Sequence, residues 1–316
     1  MTYRQLGSSG LVVSTVGLGC NSFGVTLPPD DVAGVVKTAF EAGITLFDTA
    51  DTYGSRPGQG EELLGEALRG RRDDVIVATK FGMDTRGLNG PDFGVRGSRR
   101  YIRRAVEGSL RRLGTDRIDL YQLHRLDPVT PLEETLGALD ELVREGKVLY
   151  VGCSHVTGWQ LVDADWTARA AGLSPFISVQ NEYSLLSRSI EAEVVPAAEH
   201  VGAGILPYFP LASGLLTGKY RRGEPAPADS RLVNRPERLA AADFDRVEAL
   251  QAVADEHGVS LLTLALGGLA AQPAVASVIA GGRTPEQVRA NVAAGTWEPD
   301  AAALVAIDEA APGPAA

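Results

Sequence analysis

Short apolar runs alternate with longer amphipathic stretches along the whole chain. The segment Arg99–Leu113 shows the helical pattern well, because its apolar residues recur every three or four positions. Those positions are Ile102, Ala105, Val106, Leu110 and Leu113. Runs such as Ile118–Leu123 are short and continuous, as in buried strands. Strand and helix alternate eight times without a linker, which predicts an α/β fold, a (β/α)8 TIM barrel.

The boundaries of the predicted elements follow from where the pattern changes. Barrel strands are predicted at residues 16–19, 46–48, 75–79, 118–123, 149–153, 177–180, 205–208 and 275–279. Helices are predicted at residues 29–42, 61–68, 99–113, 131–145, 161–171, 190–200, 243–257, 261–271 and 285–293. Two β-prone pieces around Ser8-Ser9-Gly10 predict an N-terminal β-hairpin. Residues 1–316 are therefore predicted to form a single barrel domain.

Two segments interrupt this alternation. Residues 82–98 and 212–243 are rich in Gly, Pro and charged side chains, and they predict long loops on the substrate side of the barrel. The tail APGPAA is predicted to be frayed. Because the chain ends soon after the last predicted helix, we expect little tail over the pocket and a fairly open, promiscuous site.

Three consecutive predicted strands end on ionisable side chains. LFD ends on Asp48, VIVATK ends on Lys80 and LYQLH ends on His124. Tyr53 follows Asp48 in the next turn. Neighbouring strands lie roughly 5 Å apart, and the carboxyl ends of barrel strands meet at one face. We therefore expect these four side chains to converge.

The four residue types suit protonation of a carbonyl oxygen. A tyrosine hydroxyl has a pKa of about 10, and a neighbouring ammonium lowers it. We therefore expect Lys80 to make Tyr53 a usable general acid. Asp48 is expected to offset the charge of Lys80. His124 is expected to hydrogen-bond to the oxygen that Tyr53 protonates.

Each residue alone also has a simpler interpretation. Asp48 could belong to a turn or cap, Tyr53 to the surface, and Lys80 and His124 to a solvated strand end and a loop. Their position at three successive strand ends favours the catalytic interpretation. Asp51 is the competing carboxylate, and we expect it to be solvated in the turn.

Charge and composition argue against several classes of function. The formal net charge of −10 is spread along the 316 residues, which argues against a nucleic-acid partner. The longest apolar stretch, Leu261–Ala271, is too short to span a bilayer, and MTYRQLG lacks the apolar core of a signal peptide. Cys20 and Cys153 have no metal or disulfide spacing, so reduced, buried thiols are expected. We expect a cytoplasmic protein without a metal or membrane partner, and the sequence leaves its oligomeric state open.

The chain resembles the aldo-keto reductases over nearly its whole length. The matching stretches are GLG (17–19), FDTADTYG (47–54), TKFG (79–82), LYQLHRLDP (120–128), VGCS (151–154), QNEYSLL (180–186), PLASGLLTGKY (210–220) and AGGRTPEQVRAN (280–291). This resemblance implies a (β/α)8 fold and NADPH-dependent reduction of aldehydes or ketones. It also implies a catalytic tetrad of Asp48, Tyr53, Lys80 and His124, with Tyr53 as the acid.

The resemblance also implies the residues that bind NADPH. Ser154 and Gln180 match the residues that hold the nicotinamide carboxamide, and Tyr208 matches the aromatic that stacks on the nicotinamide ring. The positions implied at the pyrophosphate are Leu211, Ser213, Gly214 and Lys219. Those implied at the adenosine end are Gly281, Arg283, Gln287 and Asn291. A glycine turn and an arginine before a helix also form an anion site on physical grounds, so we expect NADPH to be preferred over NADH.

Three residues depart from the family pattern. His155 stands where many members have asparagine, Phe209 where serine is common, and Ala290 where an acidic residue is frequent. These departures concern cofactor affinity rather than the tetrad. Two other functions stay open: a nicotinamide-binding regulatory or sensor subunit on the same fold, and a Schiff-base lyase that uses Lys80 as its nucleophile.

Overall fold

Eight parallel strands form a barrel in the computed structural model, which describes residues 1–228 and 230–314. The strands of the barrel are β3 Val16–Gly19, β4 Leu46–Asp48, β5 Ile76–Phe81, β6 Ile118–Leu123, β7 Val148–Ser154, β8 Ser178–Gln180, β9 Gly204–Ile205 and β10 Val278–Gly281. They lie side by side in the order β10, β3, β4, β5, β6, β7, β8, β9. The predicted α/β fold is therefore confirmed.

Backbone hydrogen bonds close the barrel between its last strands. The amide of Ile205 donates to the carbonyl of Ala274 over 2.7 Å, and Ala276 donates back to Ile205 over 3.0 Å. Further along the same two segments, the amide of Ile279 donates to the carbonyl of Pro207 over 2.9 Å. Closure leaves no unpaired sheet edge and directs all eight carboxyl ends to one face.

The helices surround the barrel in chain order. They are α1 Pro29–Glu41, α2 Gln59–Ala67, α3 Arg99–Leu113, α4 Leu132–Arg144, α5 Gly158–Ala171, α6 Val194–Val201, α7 Pro236–Ala240, α8 Phe244–Glu256, α9 Leu261–Ala270, α10 Pro285–Gly295 and α11 Ala301–Ala310. Short 3₁₀ helices occur at Arg72–Asp74, Ser189–Ala192 and Ala212–Thr217. No helix in the described parts of the chain is both long and apolar enough to cross a membrane.

The predicted N-terminal hairpin is present and covers the amino-terminal end of the barrel. Strand β1 (Tyr3–Gln5) pairs antiparallel with β2 (Val12–Ser14). Leu6 and Val13 pack against the apolar layer inside the barrel, which includes Leu46 and Leu120. This end of the barrel is therefore filled with apolar side chains, and only the opposite end is available for a site.

The inward-facing side chains form layers, because strand residues alternate between the two faces of a sheet. Leu46, Ala78 and Leu120 belong to the buried apolar layer. Two residues further along the same strands come Asp48, Lys80 and Gln122, which are also buried. The inward-facing side chains thus change from apolar to polar within two residues along three neighbouring strands.

The C-terminal region differs from the prediction. The sequence predicted a strand at 275–279 and no helix after residue 293, but β10 begins at Val278 and α11 follows its N-cap Asp300. Ile307 of α11 and Ala311 are buried in a second apolar cluster with Leu250 of α8. The predicted fraying of residues 311–316 is wrong for Ala311, whereas residues 315 and 316 lie outside the described residues.

The second predicted loop, residues 212–243, is only partly irregular. It contains the 3₁₀ helix Ala212–Thr217 and the helix α7. Leu216, Tyr220 and Leu232 are buried in the second apolar cluster. These buried apolar residues do not recur with a regular period. Sequence periodicity therefore could not predict the structure of this loop. Both cysteines lie in the described part of the chain and are free, buried thiols, as predicted.

Helices α2 and α3 pack closely at Gly65. A Cβ built there would overlap the carbonyl oxygen of Leu113 and lie 2.6 Å from its carbonyl carbon. We expect Gly65→Ala to lower the free energy of unfolding by about 1–3 kcal/mol, because backbone atoms cannot move aside easily. Urea unfolding measures this difference.

Gly34 provides the matched control. It lies within α1, and a Cβ there would meet nothing within 4 Å among the described atoms. Gly34→Ala should therefore stabilise the protein by about 0.5–1 kcal/mol, the usual gain in a helix interior. Equal effects of the two substitutions would contradict this account of the packing between α2 and α3.

Candidate active site

A buried ion pair lies at the carboxyl ends of β4 and β5. The Lys80 Nζ atom donates to Asp48 Oδ2 over 2.6 Å and to the carbonyl oxygen of Thr49 over 2.8 Å. Burial lowers the pKa of Lys80, but the charge of Asp48, with smaller contributions from Tyr53, raises it above its usual value. Lys80 is therefore an ammonium ion in this structure.

Two amides complete the environment of Asp48. The Nε2 atoms of Gln122 and Gln180 donate to Asp48 Oδ1 over 3.1 Å and 2.9 Å. Because these donors come from β6 and β8, side chains of four strands meet at one carboxylate. A buried carboxylate needs such partners, since an unpaired charge in the interior is strongly unfavourable.

Tyr53 lies in the turn after β4, where its hydroxyl contacts Lys80. The Lys80 Nζ atom is 3.4 Å from Tyr53 Oη and 5.0 Å from the centre of its ring. The start of α2 supports this turn, because Gly60 donates its amide hydrogen to the Tyr53 carbonyl over 2.9 Å. A Cβ at Gly60 would lie 2.9 Å from Tyr53 Cβ, so only glycine allows this approach.

The protonation of Tyr53 differs from the prediction. Lys80 lowers the pKa of the hydroxyl, as expected, but burial is the larger effect and the net pKa is raised. Without its substrate the tyrosine therefore holds its proton firmly at neutral pH. The attraction between Lys80 and a phenolate still favours the charged form as the proton leaves.

His124 immediately follows β6 and faces Tyr53. The two ring centres are 6.0 Å apart in an edge-to-face arrangement. Burial and the positive charge of Lys80, with smaller effects of His155 and Arg125, lower the pKa of His124 to about 2. Its Nδ1 atom is buried and has no hydrogen-bond partner among the described residues. A neutral imidazole of this kind can donate one hydrogen bond to a substrate oxygen.

Asp51 is buried, so the prediction that it is solvated is wrong. Its Oδ2 atom accepts a hydrogen bond from Asn89 over 2.9 Å. Arg112 donates to Glu61 over 2.6 Å and reaches Asn89 over 3.5 Å. Burial and the nearby charge of Glu61 raise the pKa of Asp51 well above its usual value. Through its hydrogen bond to Asn89, Asp51 ties the first long loop to the barrel.

The residues implied for the nicotinamide lie at the ends of β7, β8 and β9. Ser154 Oγ donates to the carbonyl oxygen of Gln180 over 2.7 Å, and the amide of Gln180 points to Asp48. Tyr208 is partly exposed, and its ring contacts Phe209 edge-to-face at 5.2 Å. The structure brings Ser154, Gln180 and Tyr208 close to the tetrad.

The implied pyrophosphate segment has an unusual backbone. Ala212 and Ser213 have φ angles of 47° and 60°, and Gly214 has a φ of 97°. Left-handed backbone in non-glycine residues is strained and clusters at binding sites. Lys219 folds back over the segment, because a Cβ at Gly214 would lie 3.5 Å from Lys219 Nζ. The ammonium of Lys219 beside this turn offers a positive charge that suits a phosphate group. Leu211 begins this segment as its N-cap.

The implied adenosine residues lie around the start of α10. The Oε1 atom of Gln287 accepts the amide hydrogen of Arg283 over 2.9 Å, and Asn291 Nδ2 donates to the Gly281 carbonyl over 3.1 Å. Gln287 and Asn291 thus shape the turn in addition to any contact with a cofactor. Ala290 is exposed on the same helix.

Arg231 is a candidate that the sequence prediction missed. Its guanidinium lies 4.8 Å from the centre of the Phe209 ring. Desolvation of this group and the charges of Arg235, Arg238 and Arg283 lower its pKa. The second long loop therefore brings positive charge toward Arg283 from a distant part of the sequence. The signal in the sequence was the recurrence of arginine at positions 231, 235 and 238 of an irregular segment.

Comparison with known proteins identifies the family. The model of the aldo/keto reductase family matches residues 15–312. The protein therefore belongs to the aldo/keto reductase family, a class of oxidoreductases.

The names of individual relatives describe different functions. The chain is 40% identical over 271 residues to "Probable aldo-keto reductase 1" of Glycine max, covering 83% of this chain and 75% of the relative. It is 38% identical to a "Probable voltage-gated potassium channel subunit beta" of Oryza sativa subsp. japonica, covering 93% and 91%. It is 35% identical to "L-glyceraldehyde 3-phosphate reductase" of Escherichia coli (strain K12), covering 93% and 87%.

The raised pKa of Asp51 predicts a pH-dependent effect on stability. Below the unfolded pKa of about 3.9 both states hold the proton. Above it the unfolded carboxyl loses the proton first, so the wild type loses stability as the pH rises toward the folded pKa. Asn at position 51 does not ionise. We therefore expect Asp51→Asn to gain stability relative to the wild type between pH 4.5 and pH 8, measured by urea unfolding.

Asp31→Asn is the matched control for removing a carboxylate, because Asp31 is exposed in the first turn of α1. A stability difference between Asp51→Asn and the wild type that stays constant over this pH range would show that Asp51 is ionised in the fold.

Proposed function

We propose that this protein is an NADPH-dependent carbonyl reductase that converts aldehydes or ketones to alcohols. The observation that carries the proposal is the position of Lys80, whose ammonium lies between the carboxylate of Asp48 and the hydroxyl of Tyr53. An enzyme that reduces a carbonyl must deliver a proton to the oxygen, and this arrangement provides a proton together with a fixed charge that stabilises the phenolate left behind.

Each of the four residues has a separate role in the proposal. Tyr53 donates its proton to the carbonyl oxygen. Lys80 stays protonated throughout and stabilises the Tyr53 phenolate, while Asp48 holds Lys80 in place. Neutral His124 orients the carbonyl oxygen by a hydrogen bond. Since Lys80 is buried and Tyr53 is half-buried, water screens their interaction less than it would at the surface.

The residues present fit a dinucleotide cofactor. The strained turn at 212–214 with Lys219 suits the pyrophosphate, and Arg283 with Arg231 suits the adenosine phosphate. Ser154, Gln180 and Tyr208 surround the place where the nicotinamide would meet the tetrad. When bound, NADPH supplies the hydride that reduces the carbonyl carbon.

The substrate is proposed to be a small carbonyl compound that enters through an open mouth. Its walls come from the loops at residues 22–28, 82–98 and 212–243. We propose neither a nucleic acid nor a membrane as a partner. Among the relatives, a reductase of a phosphorylated aldehyde supports the reaction class.

Removal of the Tyr53 hydroxyl tests the proposed acid. We expect Tyr53→Phe to lower kcat for carbonyl reduction by about 10²–10⁴-fold, the usual contribution of general acid catalysis. NADPH binding should change little, because the ring is retained. Steady-state rates with a reactive aldehyde and fluorescence titration of NADPH measure the two effects.

Tyr121→Phe is the control for this substitution. Tyr121 is buried on β6, and its hydroxyl has no hydrogen-bond partner among the described residues. Activity close to the wild type is expected from Tyr121→Phe. Near wild-type turnover by Tyr53→Phe itself would exclude Tyr53 as the proton donor.

Cofactor preference tests the role of Arg283. We expect Arg283→Ala to weaken NADPH binding by roughly 1.5–3 kcal/mol, the value of a charge-assisted hydrogen bond. NADH lacks the 2′-phosphate, so its dissociation constant should hardly change. Arg289→Ala is the control, because Arg289 lies on α10, which begins just after Arg283, and its side chain is 59% exposed. Equal losses for NADPH and NADH would mean that Arg283 does not recognise the phosphate.

A regulatory or sensor subunit is the second candidate function, supported by the potassium channel β subunit among the relatives. Such a protein would bind NADPH but turn over reactive aldehydes negligibly, so the rate assay separates it from the enzyme. A lyase that uses Lys80 is less compatible with the geometry, because a fully buried, charged lysine is not a nucleophile. Borohydride trapping of a substrate on Lys80 would support it.

A further inference from the structure

His155 lies at the junction of four strand ends and makes three side-chain contacts. It follows Ser154 directly after β7, and its amide donates to the Gln180 carbonyl at the end of β8 over 3.1 Å. Its Nδ1 atom lies 3.0 Å from the carbonyl oxygen of His124 and 2.8 Å from Ser154 Oγ. On the other side of the ring, Nε2 lies 3.0 Å from Tyr208 Oη.

These distances determine which nitrogen carries the proton. The carbonyl of His124 can only accept, and the Ser154 hydroxyl already donates to the Gln180 carbonyl over 2.7 Å. Nδ1 must therefore be the donor. In a neutral imidazole Nε2 is then an acceptor, so the hydroxyl of Tyr208 donates to it. The bonds run in one direction, from Tyr208 through His155 to the backbone of His124.

The charges around His155 favour this neutral form. Burial lowers its pKa, and so do Arg125 and, more weakly, Lys80, whereas the bond to the His124 carbonyl raises it. His124, which faces the ring at 5.7 Å, is itself neutral. Glu182, the negative group in this region, acts on Tyr208 from the neighbouring end of β8.

The backbone of His155 supports a positioning role. Its φ angle is 55°, a left-handed conformation that is uncommon in residues other than glycine and is found mainly where other contacts enforce it. This conformation directs the side chain from the end of β7 toward both His124 and Tyr208. An asparagine at this position would be too short to span the same two partners.

We propose that His155 is a positioning residue that fixes the position of the Tyr208 ring relative to His124. The nicotinamide and the substrate carbonyl would then meet at a fixed separation. This proposal rests on the carbonyl reductase function above, since Tyr208 and His124 are the groups proposed to contact cofactor and substrate. His155 acts through its neighbours and need not contact either ligand. We call the hydrogen bonds from Tyr208 through His155 to the His124 carbonyl the bridge. Loss of this bridge should lower turnover more than it lowers NADPH affinity.

Histidine NMR of the protein without ligands tests the bridge independently of activity. The chain has four histidines, and His155→Asn identifies the signals of His155 by their loss. We expect neutral His155 to carry its proton on Nδ1. In Tyr208→Phe the pKa of His155 should rise, because the hydroxyl that donates to Nε2 stabilises the neutral form. A proton on Nε2, or an unchanged pKa in Tyr208→Phe, would overturn the proposal.

A double-mutant cycle tests the consequence for catalysis. His155→Asn replaces the imidazole with a shorter amide, and Tyr208→Phe removes the hydroxyl but retains the ring, so each breaks the bond between the two side chains. We expect each to lower kcat by roughly 10- to 100-fold, the range expected when reacting groups are misplaced, with little change in the NADPH dissociation constant. The double variant should be no slower than the slower single variant, because both remove the same bond.

Two other results of this cycle would contradict the positioning role. Additive losses of kcat would show that His155 and Tyr208 act independently, and a loss of NADPH affinity in His155→Asn alone would show that His155 contacts the cofactor directly. Either result would overturn the positioning role. His200→Asn is the control, since His200 is exposed on α6. If the wild type does not reduce carbonyl compounds at all, the proposed function fails. The NMR experiment would then still decide whether the bridge exists. So would a double-mutant cycle that measures the free energy of unfolding of His155→Asn, Tyr208→Phe and the double variant.

Discussion

The ion pair between Asp48 and Lys80 is the interaction on which the rest of the site depends. Both side chains are buried, so each charge has lost most of its hydration. The pair is sustainable only because Thr49, Gln122 and Gln180 supply the remaining hydrogen bonds. Thr49 directly follows Asp48, whereas Gln122 and Gln180 come from β6 and β8, and the closed parallel sheet brings them to the same carboxylate. The ion pair and the barrel therefore depend on each other.

Burial has two opposite consequences at this site. It raises the pKa of Tyr53 and so keeps the proton on the hydroxyl, although Lys80 lies 3.4 Å away. It also keeps His124 neutral, since an imidazolium beside a buried ammonium is strongly disfavoured. A single positive charge thus remains among the three groups. Poor screening in the interior strengthens its effect when negative charge develops on the tyrosine oxygen.

A second buried polar network supports the first long loop. Glu61 of α2 accepts hydrogen bonds from Thr79 and Arg112, each over 2.6 Å, and Asn89 joins Arg112 to Asp51. The wall of the pocket is therefore attached to the same turn that carries Tyr53. Loops around barrel mouths are often variable, but here hydrogen bonds to buried side chains define the position of residue 89.

The sequence by itself determined the alternation of strands and helices, the hairpin, the three ionisable residues at the strand ends and Tyr53 in the turn after β4. Local periodicity and turn residues encode these features. It could not determine the buried state of Asp51, since Asn89 and Arg112 are distant in sequence. It also could not order residues 212–243, assign the proton of His155 or bring Arg231 near Arg283. Tertiary structure decided these features, because burial and hydrogen bonding depend on which distant side chains the closed barrel brings together.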